Sequence, residues 1–183
     1  MILNQILLKL IKMSKISLIL ILYFFDCSWV EAGTLNSLSI LKQSNYLALM
    51  RHTLAPGFGD PDNFELHNCD TQRNLSTEGV IQAQEIGKLL KSIGIAAASV
   101  YSSQWCRCVD TANKLDLGPI LILAPLNSFF QNLSNEERQT NAIRNWINSQ
   151  NLDKPIILVT HQVNITALTG VYPSSGEIVV LKR

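Results

Sequence analysis

The sequence predicts an α/β fold in which helices cover both faces of a mostly parallel sheet, giving a three-layer α/β/α sandwich. Short apolar runs of strand length recur between residues 46 and 181. Each run is followed by a turn or by a longer segment whose apolar residues have helical spacing. Strands that alternate with helices are typical of parallel sheets covered on both faces. A length of 183 residues favours one such domain.

The first β-to-α step begins with an apolar run at residues 46–50, which is predicted to be a buried strand. Ser76 then has the position of an N-cap for a helix whose apolar residues keep helical spacing as far as Gly94. Residues 99–102 are predicted to form a second strand, followed by a helix that ends near Leu115.

The alternation continues to the end of the chain. Residues 120–123 are predicted to form a third strand. The pattern Ser134-Asn135-Glu136-Glu137 resembles a capping box, which would open the next helix. A strand at 156–160, a last helix and a strand at 178–181 complete the predicted fold.

The residues before the predicted domain have the order of a secretory signal. Three lysines between positions 9 and 15 precede an uncharged run at 16–25, and Val30-Glu31-Ala32 offers small residues for cleavage. We therefore expect a cleaved signal peptide at residues 1–32, a domain at 33–183, and a periplasmic or secreted location. Met13 is a plausible alternative start.

Two other interpretations of this segment are weaker. An apolar run of ten residues is short of the roughly 20 needed to span a bilayer, so no stable membrane span is expected after cleavage. Lipidation at Cys27 is disfavoured because Asp26 precedes it where a small residue is required.

The charge of the predicted domain gives no sign of a polyanionic partner. Removing residues 1–32 takes away three of the 15 basic and two of the 14 acidic residues, which leaves twelve of each. A neutral protein has no overall field that would attract nucleic acid. We therefore look for a local site, and the oligomeric state stays open.

Three cysteines remain in the predicted domain, namely Cys69, Cys106 and Cys108. In an oxidising compartment an odd number suggests one disulfide and one spare thiol. Residues two apart on a helix point to different sides, so Cys69 is expected to pair with Cys106 or with Cys108. Cys-x-Cys with one distant cysteine is a poor zinc pattern, and no metal site is predicted.

Three polar clusters follow predicted strands, at residues 51–53, 102–107 and 160–162. In α/β sheets ligands bind beyond the carboxyl ends of the strands. A single histidine there is more often a hydrogen-bonded core residue, and a single arginine is usually on the surface. Two histidines and two arginines at one edge instead suggest a site for a tetrahedral dianion, since guanidinium groups offer paired donors to phosphate. A neutral imidazole in that field is a competent nucleophile and needs no cofactor.

The same clusters resemble the motifs of the histidine phosphatase superfamily, whose members are also called phosphoglycerate-mutase-like proteins. The similarity covers roughly residues 46–170 and includes Leu49-Met50-Arg51-His52-Thr53, Leu75-Ser76-x-x-Gly79, Tyr101-Ser102-Ser103 through Arg107 and Thr111-Ala112, and Val159-Thr160-His161. The resemblance implies a phosphoglycerate-mutase-like fold of an exported bacterial branch. It also implies hydrolysis through a phosphohistidine on His52, with Arg51, Arg107 and His161 forming the phosphate pocket.

Two more residues are candidates for substrate binding. Ser103 precedes a predicted helix N-terminus, where free backbone amides favour an anion, although it could equally be a simple cap. Arg73 precedes the first helix and could contact the substrate beyond the phosphate, or could pin the loop to a carboxylate. The aromatic residues Trp105, Trp146, Phe129 and Phe130 are expected to pack in the core or in a lid.

The chain departs from the family pattern at three positions. Thr53 stands where the family usually has glycine, so its side chain must fit near the phosphate or point away. Gln162 and Asn127 occupy the places where different branches carry the acid that protonates the leaving group. Acidic residues and a histidine between positions 60 and 70 could supply that proton, although polar loop residues are usually only solvated.

These observations predict a phosphoric monoester hydrolase acting on a small-molecule phosphate ester, such as an envelope sugar phosphate. A leaving group of low pKa reduces the need for an acid. Phosphohistidine and anomeric sugar phosphates are substrates of this kind. The alternative is a phosphate-ester binding protein of the same fold that has lost turnover. Mutase activity is disfavoured by the predicted export and by the missing acid.

Overall fold

The structure is a computed structural model that describes residues 37–183. A five-stranded sheet lies at the centre of these residues. The strand order is β3-β2-β4-β1-β5, with β1 (Tyr46–Arg51), β2 (Ser99–Ser102), β3 (Ile120–Ile122), β4 (Ile156–Thr160) and β5 (Ile178–Lys182). β1 to β4 are mutually parallel, and β5 pairs antiparallel with β1 at one edge. The predicted mostly parallel sheet is confirmed.

Four α-helices within the described residues cover the two faces of this sheet. They are α1 (Thr77–Ser92), α2 (Cys106–Leu115), α3 (Glu136–Ser149) and α4 (Gln162–Thr169). On one face Leu90 of α1 and Leu115 of α2 pack in a core with Met50. On the other face Leu49, the residue that precedes Met50 in β1, packs with side chains of α3 and α4. Successive strand residues point to opposite faces, so the three-layer arrangement is confirmed.

The helix starts agree with the sequence at α1 and disagree at α3. Ser76 Oγ accepts a hydrogen bond from Gly79 N at 3.1 Å, so the predicted cap of α1 is present. The predicted capping box at Ser134 is wrong, because Ser134 Oγ donates to Asn132 Oδ1 and residues 133–135 form a 3₁₀ turn before α3. Glu136 and Glu137 instead lie in the first turn of α3, where negative charge is favourable.

Two glycines of α1 allow a close approach that brings the site elements together. A Cβ at Gly79 would lie 2.0 Å from Leu54 O, and one at Gly87 would lie 2.2 Å from Leu115 O. Both distances are too short for any side chain, so the backbone of α1 can approach Leu54 and Leu115 this closely only with glycine at positions 79 and 87.

The strand register places the predicted site at one edge. Arg51 of β1 lies opposite Thr160 of β4, and His52 N donates to Thr160 O at 2.9 Å. Ser103, which follows β2, donates its amide to Val159 O at 3.0 Å. The carboxyl ends of β1, β4 and β2 therefore meet.

A disulfide links the segment after β1 to the first residue of α2. Cys69 and Cys106 are bonded, while Cys108 is free and buried. The predicted bridge from Cys69 is confirmed, with Cys106 as its partner.

Leu38–Arg183 form one compact unit. Within residues 37–183, no helix combines the length and the apolar character that a membrane crossing needs. The predicted signal peptide at 1–32 lies outside the described residues.

Candidate active site

One pocket lies beyond the carboxyl ends of β1 and β4 and gathers five of the six predicted site residues. They are Arg51, His52, Arg73, Arg107 and His161. The rest of the lining is formed by Gly57, Phe58, Gly59, Asp60, Ser128, Phe130, Gln131, Gln162, Val163 and Tyr172. The sixth predicted residue, Ser103, lies outside this lining.

His52 is held in one orientation by the backbone. Its Nδ1 lies 2.8 Å from Thr53 O, and since a carbonyl oxygen can only accept, Nδ1 carries the proton. Nε2 therefore keeps its lone pair in the neutral ring. No described residue is hydrogen bonded to Nε2, and the ring lines the pocket. His52 thus presents an available nucleophilic nitrogen to whatever the pocket binds.

The surroundings of His52 keep the imidazole neutral. Burial, opposed by the hydrogen bond to the Thr53 carbonyl and reinforced by the positive charges of Arg107, Arg73 and Arg51, lowers the pKa of His52 to about 3. A neutral ring is the form that can attack phosphorus.

His161 lies beside His52 and is held by hydrogen bonds that run through Ser103 to Asn127. The two rings are edge to face with centroids 5.6 Å apart. Ser103 Oγ lies 2.9 Å from His161 Nε2 and donates to Asn127 Oδ1 at 3.2 Å. Because the hydroxyl has one proton, Nε2–H of His161 is the donor to Ser103. Burial, then the charge of Arg107, lowers the pKa of His161 well below its usual value.

Ser103 is better placed to orient His161 than to contact a substrate. The backbone amides around the start of α2 are also engaged within the protein: Gln104 N donates to Asn127 Oδ1 at 2.9 Å, and Cys106 N donates to Gln72 Oε1 at 3.0 Å. The expectation that free amides at this helix start would bind an anion is therefore wrong for these positions.

Arg51 and Arg107 each leave one buried donor without a protein partner. Arg51 uses Nη1 to donate to Pro173 O at 2.9 Å. Arg107 uses Nη1 and Nη2 in an ion pair, described below. The Nε atoms of both arginines are buried and have no hydrogen-bond partner. Buried unpaired donors are costly, so two guanidinium N–H groups at a pocket are suited to an anionic ligand.

Asp60 forms the ion pair with Arg107, and this pairing was not predicted from the sequence. Its Oδ1 lies 2.6 Å from Arg107 Nη1 and its Oδ2 3.0 Å from Arg107 Nη2. Of the polar residues at positions 60–70 that were candidates for proton donation, Asp60 alone lines the pocket. The others, Asp62, Glu65, His67 and Asp70, are exposed and lie outside it.

Arg73 lies at the pocket as predicted, and its guanidinium also holds the loop. Nε donates to Gly59 O at 2.7 Å, and Nη1 donates to Ala55 O. Of the two roles left open by the sequence, loop attachment is visible, although through carbonyl groups rather than a carboxylate. Burial, followed by the charge of Arg107, lowers the pKa of Arg73.

Aromatic rings form the rim of the pocket. The sequence predicted a core or lid position for Phe130 and no role for Phe58 or Tyr172. Phe58 is 85% exposed and packs edge to face on Phe130, which is 37% exposed. Tyr172 is 75% exposed on the same lining. By contrast Trp105 and Phe129 are buried as predicted, and Trp146 packs partly buried against the core.

The structure shows the surroundings of the three residues that depart from the family pattern. Thr53 is fully buried and turns its hydroxyl to Thr111 Oγ1, 3.1 Å away, so it points away from the pocket. Asn127 is held by Ser103 and Gln104. Gln162 lines the pocket but donates to Thr166 Oγ1 at 2.8 Å. Neither amide can supply an acidic proton.

The electrostatics of the pocket fit a dianion. Its lining carries three guanidinium groups, one carboxylate and two neutral imidazoles, so its formal charge is two positive. Across the described residues, no three His, Cys, Asp or Glu side chains come close enough to share a metal ion. The arrangement can bind a phosphoryl group and present a nitrogen nucleophile to it.

Comparison with known protein families gives one match. Residues 47–124 match the model described as "Histidine phosphatase superfamily (branch 1)". This segment includes Arg51, His52 and Arg107, while His161 lies beyond it. No curated protein sequence matches the chain.

Solved structures with the same fold are numerous, and three are informative. A phosphoserine phosphatase mutant from Entamoeba histolytica, in complex with phosphoserine, is 13% identical with a TM-score of 0.53 over 74% of this chain and 89% of that chain. The protein histidine phosphatase SixA, complexed with tungstate, is 15% identical with a TM-score of 0.54, over 74% and 86%. The product of open reading frame Rv3214 from Mycobacterium tuberculosis is 15% identical with a TM-score of 0.57, over 75% and 91%. At these identities the likeness establishes the fold.

Proposed function

We propose that the chain is a member of the histidine phosphatase superfamily, whose model residues 47–124 match, and that it hydrolyses phosphate monoesters through a phosphohistidine on His52. One observation carries the proposal: a neutral His52, whose Nε2 is hydrogen bonded to no described residue, lines a pocket together with Arg51 and Arg107, whose buried Nε atoms have no protein partner. A nucleophile and anion-binding donors thus share one pocket.

The reaction has two steps. The Nε2 lone pair of His52 attacks phosphorus, and the bond from phosphorus to the ester oxygen breaks with its electrons leaving on that oxygen. Water then attacks the phosphohistidine, the P–N bond breaks, and its electron pair returns to Nε2. The proton lost by water passes to solvent or to the departing phosphate. Covalent catalysis of this kind divides one difficult displacement into two easier ones.

The arginines stabilise the charge that develops during transfer. Arg51 and Arg107 each offer an unpartnered Nε–H, and guanidinium groups are suited to the equatorial oxygens of a transferring phosphoryl group. His161, oriented by Ser103, adds a ring beside the nucleophile. Phosphate binding thus uses donors that are already in place.

The pocket favours substrates with a good leaving group. Asp60 is its one carboxyl group. Burial raises the pKa of Asp60, but the hydrogen bonds and charge of Arg107 lower it overall, so the group is ionised and cannot protonate a leaving oxygen. Substrates whose leaving group needs no protonation are therefore preferred. Anomeric sugar phosphates and phosphohistidine, the latter in keeping with the name of SixA, are such substrates.

A second candidate function rests on the same observation. A pocket that binds phosphate without an acid could belong to a phosphate-ester binding protein. Steady-state turnover separates the two. The domain is incubated with 4-nitrophenyl phosphate from pH 4 to 8, beside His52→Ala and the exposed control His67→Ala. We expect turnover in the wild type and in the His67 control, with a loss of at least about a thousandfold in the His52 variant. Equal rates in all three proteins would remove the phosphatase assignment.

Export to the periplasm or the medium is part of the proposal. The signal pattern of residues 1–32 supports it, as does a disulfide in the domain, since disulfides persist in oxidising compartments. N-terminal sequencing of protein from fractionated bacterial cells tests it. We expect a mature chain beginning near residue 33 outside the cytoplasm, and an intact N-terminus in the cytosol would contradict export.

A further inference from the structure

Asp60 connects three separate segments of the chain through one carboxylate. Oδ1 accepts from Arg107 Nη1 at 2.6 Å and from Arg73 N at 3.1 Å. Oδ2 accepts from Arg107 Nη2 at 3.0 Å and from Trp105 Nε1 at 3.0 Å. The side chains of Arg107 and Asp60 are only 3% and 4% exposed. Four donors converge on a carboxylate that solvent barely reaches.

This contact decides which edge of Arg107 is left for a ligand. A guanidinium has two edges able to bind an oxyanion, one formed by Nη1 and Nη2 and the other including Nε. Asp60 occupies the first edge, and the buried Nε is left without a partner. An incoming phosphoryl oxygen can therefore be bound by Arg107 through the Nε side without displacing Asp60.

The same carboxylate makes a cluster of three arginines tolerable. Arg51, Arg73 and Arg107 line one pocket, and burial together with the charge of Arg107 lowers the pKa of both Arg51 and Arg73. The negative charge of Asp60 raises the pKa of Arg73. With Asp60 in place the pocket carries two positive charges, which balance the two negative charges of a phosphate dianion.

Two other roles for Asp60 fit the contacts less well. A general acid must be protonated, whereas the donors around Asp60 stabilise its ionised form. A mobile anion that blocks the pocket would have to leave Arg107 when substrate binds, and this would strip Trp105 Nε1 and Arg73 N of their acceptor. Leaving buried donors unpaired is costly, so the geometry favours a fixed carboxylate.

We propose that Asp60 is a positioning residue that holds Arg107 with its Nε side directed at the phosphoryl group, an inference that rests on the proposed phosphatase function. Asp60 itself does not touch the substrate and exchanges no proton with it. Its contribution passes through Arg107.

Calorimetric binding of inorganic phosphate tests this in a double-mutant cycle. The proteins are the wild type, Asp60→Asn, Arg107→Gln and the double variant, with Asp62→Asn as an exposed control on the same loop. We expect Asp60→Asn to weaken phosphate binding by about tenfold or more, a loss typical of a charge-assisted contact. The double variant should bind no more weakly than Arg107→Gln alone, and the control should stay within about twofold of the wild type.

Other outcomes overturn the proposal. Tighter phosphate binding in Asp60→Asn means that the carboxylate competes for the site. Additive losses mean that Asp60 does not act through Arg107. Unchanged binding with a loss of kcat confined to poor leaving groups means that it is the acid. If Asp60→Asn does not fold, Trp105→Phe removes one donor to Asp60 without changing charge, and should weaken binding several-fold in the wild type but not in Arg107→Gln.

Because phosphate binding is measured without turnover, the test also separates this inference from the function it rests on. A wild type that binds phosphate and does not hydrolyse aryl phosphate loses the proposed function, whereas the cycle still reports whether Asp60 positions Arg107. For an active wild type, Asp60→Asn should raise KM for aryl phosphate.

Discussion

Nδ1 of His52 lies 2.8 Å from the carbonyl oxygen of Thr53, the residue that follows it. The contact is local, so the tautomer of the ring depends on the backbone just after β1 rather than on a distant side chain. It leaves the lone pair on Nε2, and burial keeps the ring uncharged. Both properties are required of a nucleophile toward phosphorus, and the following predictions depend on them.

Reaction rates should depend steeply on the leaving group. Since no described residue of the pocket is an acid able to protonate the departing oxygen, kcat/KM should fall strongly from 4-nitrophenyl phosphate to phenyl phosphate and further to an alkyl phosphate. We expect a span of at least about a thousandfold, the upper part of what general acid catalysis contributes. A series of substituted aryl phosphates measures the slope. Similar rates for aryl and alkyl esters would reveal a proton donor in the pocket.

Stability should depend on pH through the buried histidines. The pKa of His52 is lowered to about 3 in the folded state, so below pH 6.5 the unfolded chain binds a proton that the folded chain does not. The contribution of His52 to the free energy of unfolding is therefore complete above pH 6.5 and is lost as the pH falls toward 3.

Urea unfolding without phosphate, from pH 4 to 6, measures this slope. We expect His52→Gln to make it shallower by about 1.4 kcal/mol per pH unit, the value for one proton. The comparison uses slopes, so a constant difference in stability between the two proteins does not affect it. Parallel lines for wild type and variant would contradict a depressed pKa.

Reduction of the disulfide should destabilise the domain. Cys69 and Cys106 are 37 residues apart, and closing a loop of that length contributes about 3 to 4 kcal/mol in the chain-entropy model. Guanidinium unfolding with and without a phosphine reductant measures the loss.

Two variants serve as controls for the disulfide. The double variant Cys69→Ser/Cys106→Ser should be as unstable as the reduced wild type and insensitive to the reductant. Cys108→Ala should keep the full effect of reduction, because Cys108 is a free thiol whose pKa burial raises to about 12. If the reductant still lowers the stability of the double variant, its effect does not come from the Cys69–Cys106 disulfide.

The aromatic rim should select leaving groups that carry a ring. Phe58 and Phe130 face each other at the mouth, and an aromatic contact contributes about 0.5–1.5 kcal/mol beyond burial. Phe58→Ala should therefore raise KM for 4-nitrophenyl phosphate by about two- to tenfold, and leave acetyl phosphate, which has no ring, nearly unchanged.

Leu133→Ala is the matched control for the rim, since Leu133 is 64% exposed and lies outside the pocket. It should affect neither substrate. Equal changes for both substrates in Phe58→Ala would mean that the rim does not contact the leaving group.

Much of the fold could be predicted because its signals are local. The strand at 156–160 and the Ser76 cap were both visible in short windows of sequence and are present. The capping box at Ser134 failed because Asn132, outside the motif, engages the serine hydroxyl. A short motif cannot exclude such a competitor.

The site was predictable where a residue follows a strand directly, as His52 and His161 do. It was not predictable where partners are distant in sequence. Asp60 and Arg107 are separated by 47 positions, and a loop carboxylate in that region is indistinguishable from a solvated one until the loop is placed. Ser103 shares this problem, since its acceptor Asn127 comes 24 residues later.

Trapping the covalent intermediate tests the central claim most directly. The wild type is mixed with 4-nitrophenyl phosphate, quenched in alkaline denaturant during turnover, and digested for mass spectrometry. We expect phosphate on His52, stable in alkali and lost in acid, and no phosphopeptide from His52→Ala. Phosphate on a different residue, or turnover by His52→Ala at the wild-type rate, would contradict the assignment of His52 as the nucleophile.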